Sequence, residues 1–261
     1  MDLGLKDKKS FVAASSKGIG LAIVQELLNE GAFVFMNGRD SDALEKSRFK
    51  LNQSEKLFAT KGDVTDEKIC KSMINIAAEK LGGLDILVTN SGGPVSGSFE
   101  SIDGSQWDDA IQKCLLSHVY LINAALQYLK NSPSPSILTI TSFTVKQPLP
   151  NLILSNSIRA ATAGFTKSLA NEYGKERIRV NSLLPGWTKT DRVKELLKAR
   201  AKTNHTSVEK ELGQISHQIP LGRMAESEEI GRAAVFLLSP AASYITGIMF
   251  SVDGGINQGL F

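Results

Sequence analysis

The chain has 261 residues, 42% of them hydrophobic and 22% charged, which is enough to bury the substantial core of one α/β domain. Its net charge of +3 is spread along the sequence, which excludes the clustered basic footprint of a nucleic-acid binder. Cys70 and Cys114, the only cysteines, stand far apart and off metal-ligand spacing, so neither a disulfide framework nor a metal centre is implied.

At the N-terminus, "MDLGLKDKKSFVAASS" lacks the apolar run of a signal peptide, and no later segment approaches a membrane span. A soluble, cytoplasmic protein without membrane partners is the expectation. "SFVAA" (10–14) is predicted as a strand, followed by a helix through "GIGLAIVQELLNEG" that Gly31 ends. Strand "AFVFM" (32–36) precedes a polar helix from about Ser41. Strand "KLFATKGDV" (56–64) leads into the helix "DEKICKSMINIAAEKLG", and strand "LDILVTN" (84–90) opens a glycine-rich loop. One long helix around "WDDAIQKCLLSHVYLINAALQYLK" is followed by strand "SILTITS" (136–142). Then come the helix "SNSIRAATAGFTKSLANEYG", the strand "IRVNSLLPG" (178–186), the helix "ESEEIGRAAVFLLS" and the strand "GIMFSVDGG".

Strands this short, separated by helices long enough to cross over, predict a doubly wound parallel sheet of about seven strands with helices on both faces. No repeat or linker interrupts residues 1–261, so a single domain is expected. Ligands then bind in the crevice beyond the carboxyl ends of the strands. The segment 186–225, rich in Lys, His and Gln, is expected to be irregular and to form a substrate lid.

"VAASSKGIG" (12–20) places a strand, a small-residue turn and a helix N-terminus in immediate succession. Backbone N–H groups and the helix dipole can receive a pyrophosphate there, and Gly18 and Gly20 let it approach. The other reading is a tight turn with no ligand.

At this point the sequence resembles the short-chain dehydrogenase/reductase family, as a divergent member similar to 3-oxoacyl-carrier-protein reductases. The family's TGxxxGIG stands here as Ala13 through Gly20, with Ser15, Lys17, Gly18, Ile19 and Gly20 implied as cofactor-binding and Ala14 in place of the first glycine. NNAG corresponds to Asn90-Ser91-Gly92-Gly93, and the adenine-side pair to Asp63-Val64. PG-x-x-x-T runs from Pro185-Gly186 through Thr188 to Thr190, and "SVDGG" is intact. The resemblance implies a single-domain Rossmann fold, a nicotinamide cofactor, a small-molecule substrate, and a homotetramer built on the helices of 104–130 and 151–174 and the last strand. An NAD-preferring member usually ends its second strand in an acidic residue. Here Gly38 stands there, followed by Arg39, and Lys17 is near enough to help, so NADP(H) is favoured over NAD(H). The alternative is that both cations are ordinary solvated charges.

The resemblance also implies an Asn–Ser–Tyr–Lys catalytic set. "TITS" supplies Ser142, but Tyr falls on Ser155, Lys on Arg159 and Asn on Cys114. A serine hydroxyl ends about 4 Å short of a tyrosine's and is a far weaker acid. Arginine stays protonated and cannot relay a proton, yet it can bond ribose hydroxyls or stabilise an alkoxide. Ser155 and Arg159, four apart on a helix, share a face. The pair would bind the nicotinamide ribose together, or hold a carboxylate where the phenol would have been. Lys146, just beyond Ser142, is a further candidate to polarise a carbonyl. Four tyrosines (Tyr120, Tyr128, Tyr173, Tyr244) and His118 are read as packing residues, and His205 and His217 as residues of the lid surface. Two functions remain: an oxidoreductase acting on a small carbonyl or alcohol by an atypical mechanism, or a catalytically inactive dinucleotide-binding homologue serving as sensor or oligomer partner.

Overall fold

Successive residues of a strand point to opposite faces, and here both faces are apolar. Phe11 and Ala13 enter one core while Val12 enters the other; Phe35 likewise opposes Val34 and Met36, and Leu87 opposes Ile86 and Val88. Only a sheet covered on both sides satisfies that pattern. In the computed structural model, which describes residues 2–52 and 55–260, it is so covered. The strands are β1 (Lys9–Val12), β2 (Phe33–Gly38), β3 (Leu57–Lys61), β4 (Ile86–Thr89), β5 (Ser136–Ile140), β6 (Arg179–Pro185) and β7 (Met249–Val252). All pairings are parallel, in the order β3-β2-β1-β4-β5-β6-β7. The strand order reverses between β1 and β4, and the crevice beyond those carboxyl ends is where a ligand belongs in such a sheet.

Helices α1 (Gly18–Asn29), α2 (Ser41–Leu51) and α9 (Ser227–Leu238) cover one face; α3 (Glu67–Leu81), α5 (Ser117–Leu129) and α6 (Ile153–Tyr173) cover the other. The helix expected over 104–130 is interrupted. Helix α4 (Gly104–Ile111) passes through a π-helical turn at Gln112–Leu116 before α5 begins. Among the described residues no helix is long and apolar enough to cross a membrane.

The expectation of an irregular segment over 186–225 is corrected. It holds two helices, α7 (Asp191–Thr203) and α8 (Val208–Gln218), capped at Thr190 and Ser207. Their buried or half-buried apolar residues recur at helical spacing: Val193, Leu196, Leu197 and Ala201, then Val208 and Ile215. A polar average composition hides that stripe. A bridge between Thr188 and Ala225 closes the base of the excursion.

Glu211 joins the two helices. Its Oε1 accepts from Asn204 Nδ2 (2.9 Å) and Thr206 Oγ1 (2.6 Å), and its Oε2 from Arg200 Nε (3.1 Å). The Thr206 hydroxyl, then Asn204 and Arg200, hold its carboxyl down to about 2, against an ordinary 4.5. Because the folded-state value lies below the ordinary one, this clamp contributes fully above about pH 4.5 and is lost as pH falls through about 2. Glu211→Gln is therefore expected to lower the thermal midpoint at pH 7 and to flatten its dependence on pH below 4.5. Melting curves between pH 2 and pH 7 on both proteins check this; parallel curves would dismiss the clamp.

Candidate active site

A cleft of about 590 Å³ opens at the carboxyl ends of the strands. Its first wall is the β1–α1 turn. Ala14 adopts φ 46°, a left-handed conformation that costs a residue with a Cβ about 1–2 kcal/mol. Its neighbours hold it there: Ala14 N donates to Asn37 Oδ1 (3.3 Å), and Asn90 Nδ2 donates to Ala14 O (3.2 Å). Ser15 N donates to Asn37 O (2.7 Å) and Ser15 Oγ to Val12 O (2.7 Å), so buried Ser15 braces the turn from behind. Gly18 has φ 58°. A Cβ on Gly20 would lie 2.5 Å from Ala14 O. Helix α1 opens without a side-chain cap and without an acid in its first turn. That arrangement suits an anion.

Asp63 and Val64, expected on the adenine side, line the same cleft. Burial opposes the charge on Asp63, but the Thr65 amide and hydroxyl and the Arg39 guanidinium hold its carboxyl below the usual range. Arg39 Nη1 lies 3.7 Å from Asp63 Oδ2, and Lys17 Nζ lies 3.8 Å from Asp191 Oδ2. Both pairs are exposed and therefore weak. A side chain at Gly38 would meet Ser16 Oγ at 3.2 Å, so the acid that reads a ribose 2′-hydroxyl has no easy place there. The Asp40 side chain, also in this wall, is engaged at the start of α2, accepting from the Asp42 and Ala43 amides. These features fit a nicotinamide dinucleotide: the turn and the start of α1 offer backbone N–H groups to phosphates, and Lys17 and Arg39 are exposed cations in the same wall. Asn90, Ser91, Gly92, Pro185, Gly186, Thr188 and Thr190 all line the continuation of the same cleft. Gly186 packs so closely on Asp253 that a Cβ would sit 2.6 Å from its Cα.

At the other end, Ser142 follows β5 and its Oγ accepts from Thr144 N (3.2 Å). Thr144 Oγ1 lies 3.3 Å from Ser155 Oγ, which joins the two serines through one threonine. Arg159, one turn along α6, donates from Nη1 to Ile140 O (3.3 Å) and Thr141 O (3.0 Å). Ser142, Ser155 and Arg159 all face the cleft.

Two expected catalytic positions do not. Lys146 is exposed and outside the cleft, because it ends the short turn Phe143–Val145 and points to solvent. Cys114 is buried in the π-helical turn, its Sγ 3.7 Å from Gly92 O and its own carbonyl taken by the Thr162 hydroxyl. It braces the β4 loop from behind. The tyrosines lie outside the cleft as expected, and His205 and His217 are exposed. Buried His118 has Nδ1 2.7 Å from Thr89 Oγ1, and burial, reinforced by the charge of Arg159, pushes it down to about 3. Its Nε2 has no hydrogen-bond partner among the described residues.

The sequence reading missed Arg192. From the first turn of α7 it reaches across the cleft, and its guanidinium donates to Pro94 O. The approach depends on Gly93, whose Cβ would come within 2.8 Å of Arg192 Nε. The signal was present as a basic residue two positions after the PG-x-x-x-T threonine, but with 186–225 read as irregular it had no assigned direction.

Residues 13–257 match the family model described as enoyl-(acyl carrier protein) reductase. The chain belongs to the short-chain dehydrogenase/reductase family. A 3α-hydroxysteroid dehydrogenase of Mediterraneibacter gnavus is 32% identical over 97% of this chain and 98% of its own. The structure of L-sorbose reductase from Gluconobacter frateurii, complexed with NADPH and L-sorbose, superposes with a TM-score of 0.93 at 28% identity, covering both chains completely. An NADPH-bound short-chain oxidoreductase of Pseudomonas aeruginosa PAO1, described as containing an atypical catalytic center, gives a TM-score of 0.88 at 29% identity over 97% of this chain and 99% of its own. Membership makes the expected Rossmann-type sheet a family feature and places the chain among NAD(P)-dependent oxidoreductases.

Proposed function

We propose that this short-chain dehydrogenase/reductase is an NADP(H)-dependent oxidoreductase for a small carbonyl or alcohol, working without the Tyr–Lys pair. The observation that carries this reading is the continuity of one cleft from the Lys17–Arg39 end to Ser142, Ser155 and Arg159. The NADPH in the two neighbouring structures is consistent with it. When bound, the nicotinamide supplies two electrons and one hydrogen to the carbonyl carbon and is itself oxidised. Ser142 Oγ can donate a hydrogen bond to the substrate oxygen while it accepts one from the Thr144 amide. Arg159, fixed at Nη1 by the β5 carbonyls, keeps its remaining N–H groups for the ribose side or for the developing alkoxide. With Ser155 too short and too weak an acid to protonate that oxygen directly, a solvent water gives the alkoxide its proton, and the hydroxide left behind is neutralised by proton exchange with bulk solvent.

One observation favours the second reading, a dinucleotide-binding homologue without turnover: no tyrosine lines the cleft among the described residues. Fluorescence titration with NADPH and NADH, followed by a single-turnover assay in the preformed complex, separates the two. The expected dissociation constant for NADPH is at least about tenfold below that for NADH, the effect of one charge-assisted contact. Arg39→Ala is expected to remove most of that difference. Equal affinities would refute the NADP(H) assignment, and tight binding without hydride transfer would select the sensor.

A further inference from the structure

Two guanidinium groups line the same cleft, and among the described residues no carboxylate holds either one closely. Arg159 is only 9% exposed, bonds two backbone carbonyls through Nη1 alone, and has no ion-pair partner among the described residues. Arg192 enters from the opposite wall, anchored by one bond to Pro94 O. Its nearest acid is Glu195, 3.9 Å from Nη1 and itself 68% exposed, a pairing that contributes little in water. The other charged groups nearby do not compensate. Lys113 lines the cleft but is drawn to Asp109 at 2.7 Å, and His118, buried near Arg159, is neutral. Burial, opposed by Glu195 and reinforced by the charge of Arg159, pushes Arg192 below its ordinary value. Two like charges facing one partly desolvated cleft repel unless an anion lies between them.

We infer that the substrate carries a carboxylate, held between Arg159 and Arg192 while its carbonyl oxygen lies at Ser142. A small oxo acid, or the matching hydroxy acid in the reverse direction, is the class that fits. The inference rests on the oxidoreductase reading above. A guanidinium fork matches a carboxylate in plane and spacing, which an isolated lysine does not. Leu149, Leu152 and Trp187 line the same end and leave an apolar surface for a short carbon chain.

The test uses the full-length protein with saturating NADPH and two probes, 3-oxobutanoate and its methyl ester. The acid is expected to have a kcat/KM about tenfold to a hundredfold above the ester's, the range for a hydrogen bond to a charged group. Arg192→Gln, which keeps a donor for Pro94 O, should lower that ratio about tenfold or more while the NADPH dissociation constant stays within about twofold. Arg192→Lys, which keeps the charge without the fork, should retain part of the preference and guards against a folding defect in the glutamine variant. Calorimetric titration of the NADP⁺-loaded protein with butanoate and butanamide reads the site without turnover. Selective butanoate binding that Arg192→Gln removes, with neither ketone reduced, would support the carboxylate site and refute the oxidoreductase reading. Equal turnover and equal binding of charged and neutral probes would overturn the inference and leave that reading intact. A loss of NADPH affinity in Arg192→Gln would assign the guanidinium to the cofactor and also overturn it.

Discussion

Ser155→Tyr combined with Arg159→Lys is expected to raise the rate of carbonyl reduction about 10²–10⁴-fold, the usual contribution of a positioned general acid. Ser155 faces the cleft and is joined to Ser142 through Thr144, so a phenol rooted there would extend about 4 Å farther, to where a substrate oxygen at Ser142 would lie. The lysine is needed as well. An ammonium at 159 would be released from the fork geometry that ties Nη1 to Ile140 O and Thr141 O, and would be free to lower the phenol's pKa. Ser155→Tyr alone should therefore gain less than the pair. Steady-state rates on a panel of neutral and acidic ketones, at saturating NADPH, measure the effect. If the double variant melts like the wild type and yet gains nothing on any ketone, the assignment of these two positions to the reacting centre is wrong.

Gly20→Ala carries the second large effect. The added methyl would stand 2.5 Å from Ala14 O, 2.8 Å from Ser15 Cα and 3.1 Å from Ala14 C, all backbone atoms with no rotamer to yield. Ala14 is already held at positive φ between Asn37 and Asn90, so the turn has no slack to absorb the displacement. NADPH affinity is expected to fall by about 10² or more, equivalent to losing a pair of anchored phosphate contacts. The thermal midpoint should fall too, as overpacking a buried contact costs about 1–3 kcal/mol. Gly213→Ala supplies the contrast. Nothing lies within 4 Å of a Cβ there, on α8, and replacing a helical glycine should stabilise by about 1 kcal/mol. Parallel melting curves and NADPH titrations on both variants decide it, and a Gly20→Ala protein that binds NADPH normally would show that the turn does not grip the pyrophosphate.

The legible parts of this molecule are those where a local pattern has one physical solution. Continuous apolar runs such as Phe11, Val12 and Ala13, or Leu87 and Val88, require a sheet buried on both faces, and the helices between the strands make the crossovers parallel. The glycine turn was legible because Gly18 takes a positive φ and Gly20 a backbone contact that leaves no room for a Cβ. Ser142, Ser155 and Arg159 were brought together as their places after β5 and along α6 imply. The errors came where direction depends on tertiary contact. Lys146 sits four residues from Ser142, yet one turn of 3₁₀ helix swings it out to solvent. Arg192 reaches Pro94 across 98 positions of sequence, a contact no local pattern encodes. Helices α7 and α8 were hidden because charged residues dilute their apolar stripes, and because the Glu211 clamp that joins them draws on four side chains spread over residues 200–211 with no regular spacing.

The sealed imidazole of His118 bears on how this cleft meets a changing environment. Buried and held near 3, it takes up no proton at any pH a cell experiences. For His118, then, a change of medium brings no new charge to the wall behind Arg159, and this part of the cleft behaves as a fixed mould.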